Sequence, residues 1–273
     1  MDQFSLISKT AVLTGASRGL GLAFAHALAS AGANIAILDV GTPVAGTLEE
    51  LRLTYNVRAE FYKADVTNRA EVYKAVETIE QEFGTVDINV NAAGVVTDES
   101  FLDSSDKNLS STFAVNFVGS FLVAQACAHA MVRKRKRLGP PMPGQESANG
   151  AIVFIGSIAS HIGTAVQHIS VYSASKSAVR GLVKPMAMEL APYGIRVNSL
   201  SPGPMRTAMY EKVSAESPAF AHQMDCETMF GRVGNPEELK GAMLFLCSQA
   251  GSWFTGQDLL VDGGASSWKH MAK

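Results

Sequence analysis

Tyr172 and Lys176 stand four residues apart in Tyr172-Ser173-Ala174-Ser175-Lys176, where a long helical pattern begins. Residues at i and i+4 share a helix face, so a phenol and an ammonium at this spacing can act together. A phenol is a poor base at neutral pH, with an unperturbed pKa of about 10. A neighbouring ammonium favours the phenolate and is expected to lower that value. The same spacing also describes ordinary pairing on a solvated face, so it needs support from elsewhere. Ser157 supplies it, two residues beyond the apolar run at 151–155. A hydroxyl at a strand end can donate to a carbonyl oxygen that is becoming an alkoxide. A turn or cap serine has the same appearance. Asn116 lies in Phe113-Ala114-Val115-Asn116-Phe117, a helix-like apolar run. A polar amide in such surroundings asks for a partner, whether its role is structural or functional.

A second constellation suits a phosphate. The first strand-like run leads into Thr14-Gly15-Ala16-Ser17-Arg18-Gly19-Leu20-Gly21, with glycines at G-x-x-x-G-x-G. Gly15 permits a tight turn, Gly19 lets backbone approach a pyrophosphate, and Gly21 lets the next helix pack closely on the strand. Ser17, Arg18 and Leu20 complete that cradle. Asp39 ends the second strand-like run, 18 residues beyond Gly21 (39 − 21). An acid there accepts from the hydroxyls of an adenosine ribose and repels a 2′-phosphate, which favours NAD over NADP. Arg18 argues the other way, since a guanidinium pairs with phosphate. Asp39 is given precedence, because Gly41, Thr42 and Pro43 follow it rather than a second basic residue. Asp65 and Val66 come after the third run, where an adenine edge would lie. Asn91, Ala92 and Gly94 end the fourth, on the nicotinamide side. Ligands of open α/β sheets bind outside the carboxyl ends of strands, and all four sites follow strand ends.

The elements expected to position these residues alternate in type. Strands are expected at 10–13, 34–38, 59–62, 87–91, 151–155, 196–200 and 258–261, and helices at 20–31, 48–55 and 68–83, with long helical patterns further on. In the third helix Val72, Ala75, Val76 and Ile79 follow i, i+3, i+4, i+7 spacing. Such alternation implies an α/β doubly wound parallel sheet with helices on both faces, here as one domain over residues 1–273. Apolar residues make up 47% and charged residues 18%, which excludes a disordered chain. Net charge is −2, so nothing drives the whole chain onto nucleic acid or acidic lipid. Cys127, Cys226 and Cys247 show no C-x-x-C spacing, so neither a metal site nor a disulfide framework is expected, and all three read as buried thiols. The longest apolar run, 121–132, is shorter than the roughly 20 residues a bilayer needs. No targeting segment is visible at 1–10, and a cytoplasmic location is expected.

Taken together, these residues resemble the short-chain dehydrogenase/reductase family, over about residues 8–264. The resemblance implies a Rossmann fold, a nicotinamide cofactor (NAD before NADP), a small alcohol or ketone substrate, and a homo-tetramer or homo-dimer. It makes Tyr172 the acid/base, Lys176 the nicotinamide-ribose ligand that tunes it, Ser157 the carbonyl-orienting hydroxyl, and Asn116 the holder of a water in a proton relay. Pro202, Gly203, Met205 and Thr207, in Pro202-Gly203-Pro204-Met205-Arg206-Thr207, resemble the family's carboxamide contact. Ala92 departs from the family's Asn-Asn-Ala-Gly, and Asn89 stands where an apolar residue is usual. The 15-residue span from Ser157 to Tyr172 is similar to the branch that acts on polyols and ketoses. Residues 204–230 form a candidate substrate lid with Met209, Tyr210, Phe220, Met224, Met229 and Phe230, a composition that instead suits a bulky apolar ketone. His161, Gln167 and His168 are candidate contacts for sugar hydroxyls. A non-catalytic dinucleotide sensor is a further alternative, disfavoured by the complete serine-tyrosine-lysine set. Arg133, Lys134, Arg135, Lys136 and Arg137 precede a Pro/Gly-rich stretch, and 133–150 reads as a solvated basic loop rather than a nucleic-acid or acidic-partner site.

Overall fold

Strands buried on both faces of a sheet read as continuous apolar runs, and helices must then cover both faces. The structure, a computed structural model, describes residues 2–139, 149–164 and 166–268. Among them Thr10–Thr14 (β1), Asn34–Asp39 (β2), Ala59–Lys63 (β3), Ile88–Asn91 (β4), Gly150–Ile155 (β5), Ile195–Pro202 (β6) and Asp258–Val261 (β7) form one sheet. Its order is β3-β2-β1-β4-β5-β6-β7, and every pairing is parallel. β1, β4, β5 and β6 are buried throughout, while the edge strands β3 and β7 stay partly exposed. The expected strands are all present. β6 runs longer than expected at both ends, because Pro202 still carries a carbonyl beside Val261 and sits at the strand's end, where proline is tolerated.

Alternate side chains point to opposite faces. Val12, Ala36, Leu38, Ile152, Phe154 and Val197 face one layer, made by helices Arg69–Phe83 (α3), Ser120–Leu138 (α5) and Ser170–Leu190 (α6). Ala11, Leu13, Ile35, Ile37, Val153 and Ile155 face the other, made by Gly19–Ser30, Thr47–Tyr55 and Lys240–Cys247. In chain order the helices are Gly19–Ser30 (α1), Thr47–Tyr55 (α2), α3, Asp106–Phe113 (α4), α5, α6, Ala208–Glu216 (α7), Pro218–Cys226 (α8) and Lys240–Cys247 (α9). The expected stripe Val72, Ala75, Val76 and Ile79 is the buried face of α3, capped by Asn68, whose side chain accepts from the amides of Ala70 and Glu71.

Three expectations change. Residues 133–137 are not loop but the last turns of α5. Arg and Lys are good helix formers, and cations suit a helix C-terminus. Arg133 and Arg137, one turn apart, both pair with Glu80, and Lys134 pairs with the buried Asp87. Pro140, Pro141, Pro143 and Gly144 lie outside the described residues. Cys127 and Cys247 are buried, and burial pushes both thiols up, that of Cys247 to about 12, but Cys226 is only half-buried. The continuous helical run Asp106–Leu138 is long and apolar enough to cross a membrane, although 61% of its most apolar window is buried against the rest of the chain.

Candidate active site

The strand order reverses between β1 and β4, where crossovers leave in opposite directions and open a crevice. Gly15 turns there at φ +62°, and a Cβ on it would lie 2.6 Å from Cα of Ala93. A Cβ on Gly21 would lie 2.3 Å from the Gly15 carbonyl oxygen. Both glycines hold the α1 N-terminus against the strand ends. Gly19, at φ +60°, has open space where its Cβ would be. Arg18 is the N-cap of α1 but gives no side-chain cap bond, and α1 carries no acid in its first turn. The first amides of the helix are thus left for an anion. Asp39 accepts from the amides of Ser17 (3.1 Å) and Gly41 (3.0 Å), and Ser17 donates to the Gly41 carbonyl at 2.6 Å. The acid is therefore fixed beside the cradle. Arg18 is exposed at its mouth.

Asp65 accepts from the amide and hydroxyl of Thr67 at 2.8 and 2.7 Å, which shapes the turn after β3. Val66 is buried against Gly119. Thr14, which the sequence alone did not single out, receives the amides of both Ala92 and Ala93 at 3.1 Å. It pins the segment after β4 to the end of β1. The buried Asn89 has its partners: it donates to the Val12 carbonyl and accepts from Asn91.

Outside the ends of β4 and β5 the four polar side chains converge. Tyr172 and Lys176 lie on the first turns of α6, one above the other. Lys176 is 5% exposed, donates to the Ile155 carbonyl at 2.7 Å, and keeps its nitrogen 5.7 Å from the Tyr172 ring centre. Burial lowers the Lys176 pKa to about 8. The Ser157 hydroxyl accepts from the Ala159 amide at 3.1 Å and stands beside the Tyr172 phenol, favouring its ionised form. The expected lowering of the phenol is corrected here. Burial raises Tyr172, and the Ser157 hydroxyl, rather than Lys176, is the group that pulls it back. Lys176 directs its hydrogen bond at the Ile155 carbonyl, not at the phenol.

Asn116 sits in a wider π-type turn, Ala114–Gly119, that joins α4 to α5. Such turns break helix register and occur at functional sites. Its amide is fully occupied in place: it donates to the Val95 carbonyl (2.9 Å) and to Ser175 Oγ (3.0 Å), and accepts from the Val95 amide (2.8 Å). Ser175 in turn donates to the Tyr172 carbonyl at 2.7 Å, so Asn116 is coupled to the helix that carries the tyrosine. A Cβ on Gly94 would come within 3.3 Å of Asn116 Oδ1 and 3.5 Å of Lys176 Nζ. Gly94 therefore leaves the lysine facing the crevice.

Gly203 lies against Asp262, where a Cβ would meet Cα at 2.7 Å. Met205 bridges to Gly234, and Thr207 caps α7 through the Tyr210 amide at 3.4 Å. Within the candidate lid, Met224 is buried, Met229 packs beside Gly264, and Phe230 stays exposed. Nothing is described for the Met209 side chain. His168 is exposed beside Asp98, while His161 turns away toward Asp258 and Arg180. The cradle, the acid at β2 and the open flank of Gly19 fit a dinucleotide; Lys176 facing Gly94 fits its nicotinamide half.

Comparison with known proteins points the same way. A family model described as enoyl-(acyl carrier protein) reductase matches residues 15–266. The 5-keto-D-gluconate 5-reductase of Escherichia coli (strain K12) is 34% identical over 263 residues, 96% of this chain and 97% of that protein. Among solved structures, a short-chain type dehydrogenase/reductase from Mycobacterium marinum is 36% identical, with TM-score 0.88, covering 98% of this chain and 99% of that one. A gluconate 5-dehydrogenase from Burkholderia cenocepacia J2315, in complex with NADP and tartrate, is 34% identical, with TM-score 0.87 and the same coverage. Fold, site and relatives together define a Rossmann-type oxidoreductase that uses a nicotinamide cofactor on an alcohol or ketone. This chain belongs to the short-chain dehydrogenase/reductase family, and polyol and keto-sugar-acid enzymes are among the relatives it resembles.

Proposed function

We propose that the protein interconverts a secondary alcohol and a ketone on a polyhydroxylated substrate of the polyol or keto-sugar-acid kind, with NAD preferred and Tyr172 as the acid/base. The observation that carries this reading is the grouping of Ser157, Tyr172 and Lys176 beside Gly94, outside the ends of β4 and β5. A bound nicotinamide would supply the hydride chemistry, accepting hydride from the carbinol carbon in oxidation and donating it to the carbonyl carbon in reduction. Tyr172 removes the hydroxyl proton in oxidation and gives it back in reduction. Ser157 donates to the oxygen on which charge develops. Lys176 would bind the nicotinamide ribose, and Asn116 is tied through Ser175 to the helix that holds Tyr172. Gly15, Ser17, Gly19, Leu20 and Gly21 would hold the pyrophosphate, with Asp65 and Val66 at the adenine and Pro202, Gly203, Met205 and Thr207 at the carboxamide.

The lid reading for 204–230 is supported by the tie between Thr164, in the loop after Ser157, and Glu227 at the end of α8, at 2.5 Å. The relatives named above support sugar-acid chemistry over a bulky apolar ketone. The homo-oligomer expectation is supported by large apolar side chains on the surface, among them Trp253 and Met188; light scattering in solution checks it.

Asp39 carries the cofactor preference, since a carboxylate beside a 2′-phosphate is a like-charge contact that costs several kcal/mol. NADH is expected to bind about 100-fold more tightly than NADPH, roughly 3 kcal/mol. Fluorescence titration of both cofactors tests this, and tighter NADPH binding would defeat it. Asp39→Asn should narrow the gap, with exposed Arg18 then free to take the phosphate.

A further inference from the structure

Ser157 sits in a short turn whose far end is held by a side-chain network that the reaction itself does not call for. His161, four residues on, places Nε2 2.5 Å from Asp258 Oδ2 and Nδ1 2.9 Å from Arg180 Nη1. A guanidinium can only donate and an ionised carboxylate can only accept. Asp258 thus takes a donor from Nε2, while the same Arg180 nitrogen lies against the ring, 3.4 Å from Nε2 as well. His161 is 20% and Asp258 12% exposed at the side chain. Asp258 is itself immobilised, because Ser199 donates to its Oδ1 at 2.6 Å and Ser201 at 2.8 Å. Ser199 and Ser201 alternate along β6, so both hydroxyls emerge on one face.

The same network reaches Ser157 from beneath. Ser201 Oγ lies 2.4 Å from where a Cβ on Gly156 would be, and the Gly156 amide donates to the Leu200 carbonyl at 2.8 Å. Glycine at 156 lets the backbone before Ser157 lie against the Ser201 hydroxyl that Asp258 holds. Between Gly156 and His161 the turn is closed by Ser160, whose amide and hydroxyl both donate to the Ser157 carbonyl at 3.0 and 2.8 Å. The third partner extends the link. Arg180 continues the line of Tyr172 and Lys176 at i+4 and i+8 along α6. The turn bearing the serine and the helix bearing the tyrosine are thus joined through one imidazole, away from the reacting atoms.

We infer that His161, clamped between Asp258 and Arg180, is a positioning residue that holds the Ser157 hydroxyl on the Tyr172 phenol. This role rests on the functional reading given above and deepens it. It also separates His161 from the sugar-hydroxyl contact that its place in the loop suggested, because the imidazole is held between Asp258 and Arg180.

The test uses the full-length protein with His161→Ala, His161→Gln, Ser157→Ala and the His161→Ala/Ser157→Ala pair. Loss of geometry at a reacting group costs up to about 100-fold, so His161→Ala should lower kcat by about 10- to 100-fold. NADH affinity and KM should stay at the wild-type values. Glutamine can donate to Asp258 as histidine does and present its amide plane to Arg180, and should restore most of kcat, as should added imidazole with His161→Ala. If His161 acts through Ser157, the double variant is no slower than Ser157→Ala alone. A substrate-independent measurement stands beside turnover. In the NAD complex, the phenolate titration of Tyr172 is read by near-ultraviolet difference absorbance against Tyr172→Phe. It should move upward in His161→Ala as it does in Ser157→Ala. Should His161→Ala fail to fold, Asp258→Asn serves, because it turns an amide toward the Nε2 proton while sparing the serines' acceptor. A wild type that turns over no polyol or keto-sugar acid refutes the substrate proposal alone, and the titration still judges His161. A Tyr172 titration unchanged by the loss of the clamp, additive losses in the double variant, or a raised KM with wild-type kcat would each overturn the inference.

Discussion

Lys176→Met removes a charge that the folded chain holds at a cost. Burial brings the lysine from 10.5 to about 8, which corresponds to roughly 3 kcal/mol disfavouring the charged form in the folded state. Between those values the unfolded chain binds more protons than the folded one, so this group's contribution to stability rises with pH through the window from 8 to 10.5. Below pH 8 the full penalty applies. Methionine matches the lysine stem in length and carries no charge, but it gives up the bond to the Ile155 carbonyl, worth about 1 kcal/mol. The balance is a gain of about 2 kcal/mol at pH 7 and a loss of about 1 kcal/mol above pH 10.5. Urea denaturation of wild type and variant at both pH values reads the two differences. A variant destabilised by the same amount at both would refute the reasoning, because the lysine would then carry no buried-charge penalty.

Two other perturbations separate stability from binding. Gly15→Ala places a left-handed residue against the Ala93 backbone and should cost roughly 2–5 kcal/mol, the sum of the conformational and overpacking costs. Gly19→Ala meets no neighbour and should cost only about 1–2 kcal/mol, yet its methyl fills the open flank of the cradle and should weaken NADH binding strongly; thermal melts and cofactor titration check both. Asp87→Ala removes the acceptor for Lys134 and for the Thr10 amide from a site where the acid is 3% exposed, and should destabilise by about 3–5 kcal/mol in a denaturant titration.

The parts of the molecule that were legible in the sequence are those that depend on local pattern. Parallel strands such as 151–155 announce themselves as unbroken apolar runs, and α3 as a clean 3.6-residue stripe. The glycine cradle and the Tyr172/Lys176 spacing are short-range for the same reason. What stayed hidden depends on distant partners. The helical state of residues 133–137 is supported by Glu80 and Asp87, about fifty positions earlier. The π-type turn at Asn116 is a one-residue change in hydrogen-bond register, which leaves no mark on composition. The direction of the Tyr172 shift follows from burial, which spacing does not report. His161 and Asp258 are 97 positions apart, and only the sheet brings them together.

The most direct measurement of the central claim compares wild type with Tyr172→Phe in NADH formation from NAD, over a panel of polyols, sugar acids and secondary alcohols. Removing a general acid/base costs about 10²- to 10⁴-fold. The account predicts turnover by wild type on a polyhydroxylated alcohol, a loss of that size in the variant, and unchanged NADH binding in both. Turnover by Tyr172→Phe close to that of wild type would contradict it.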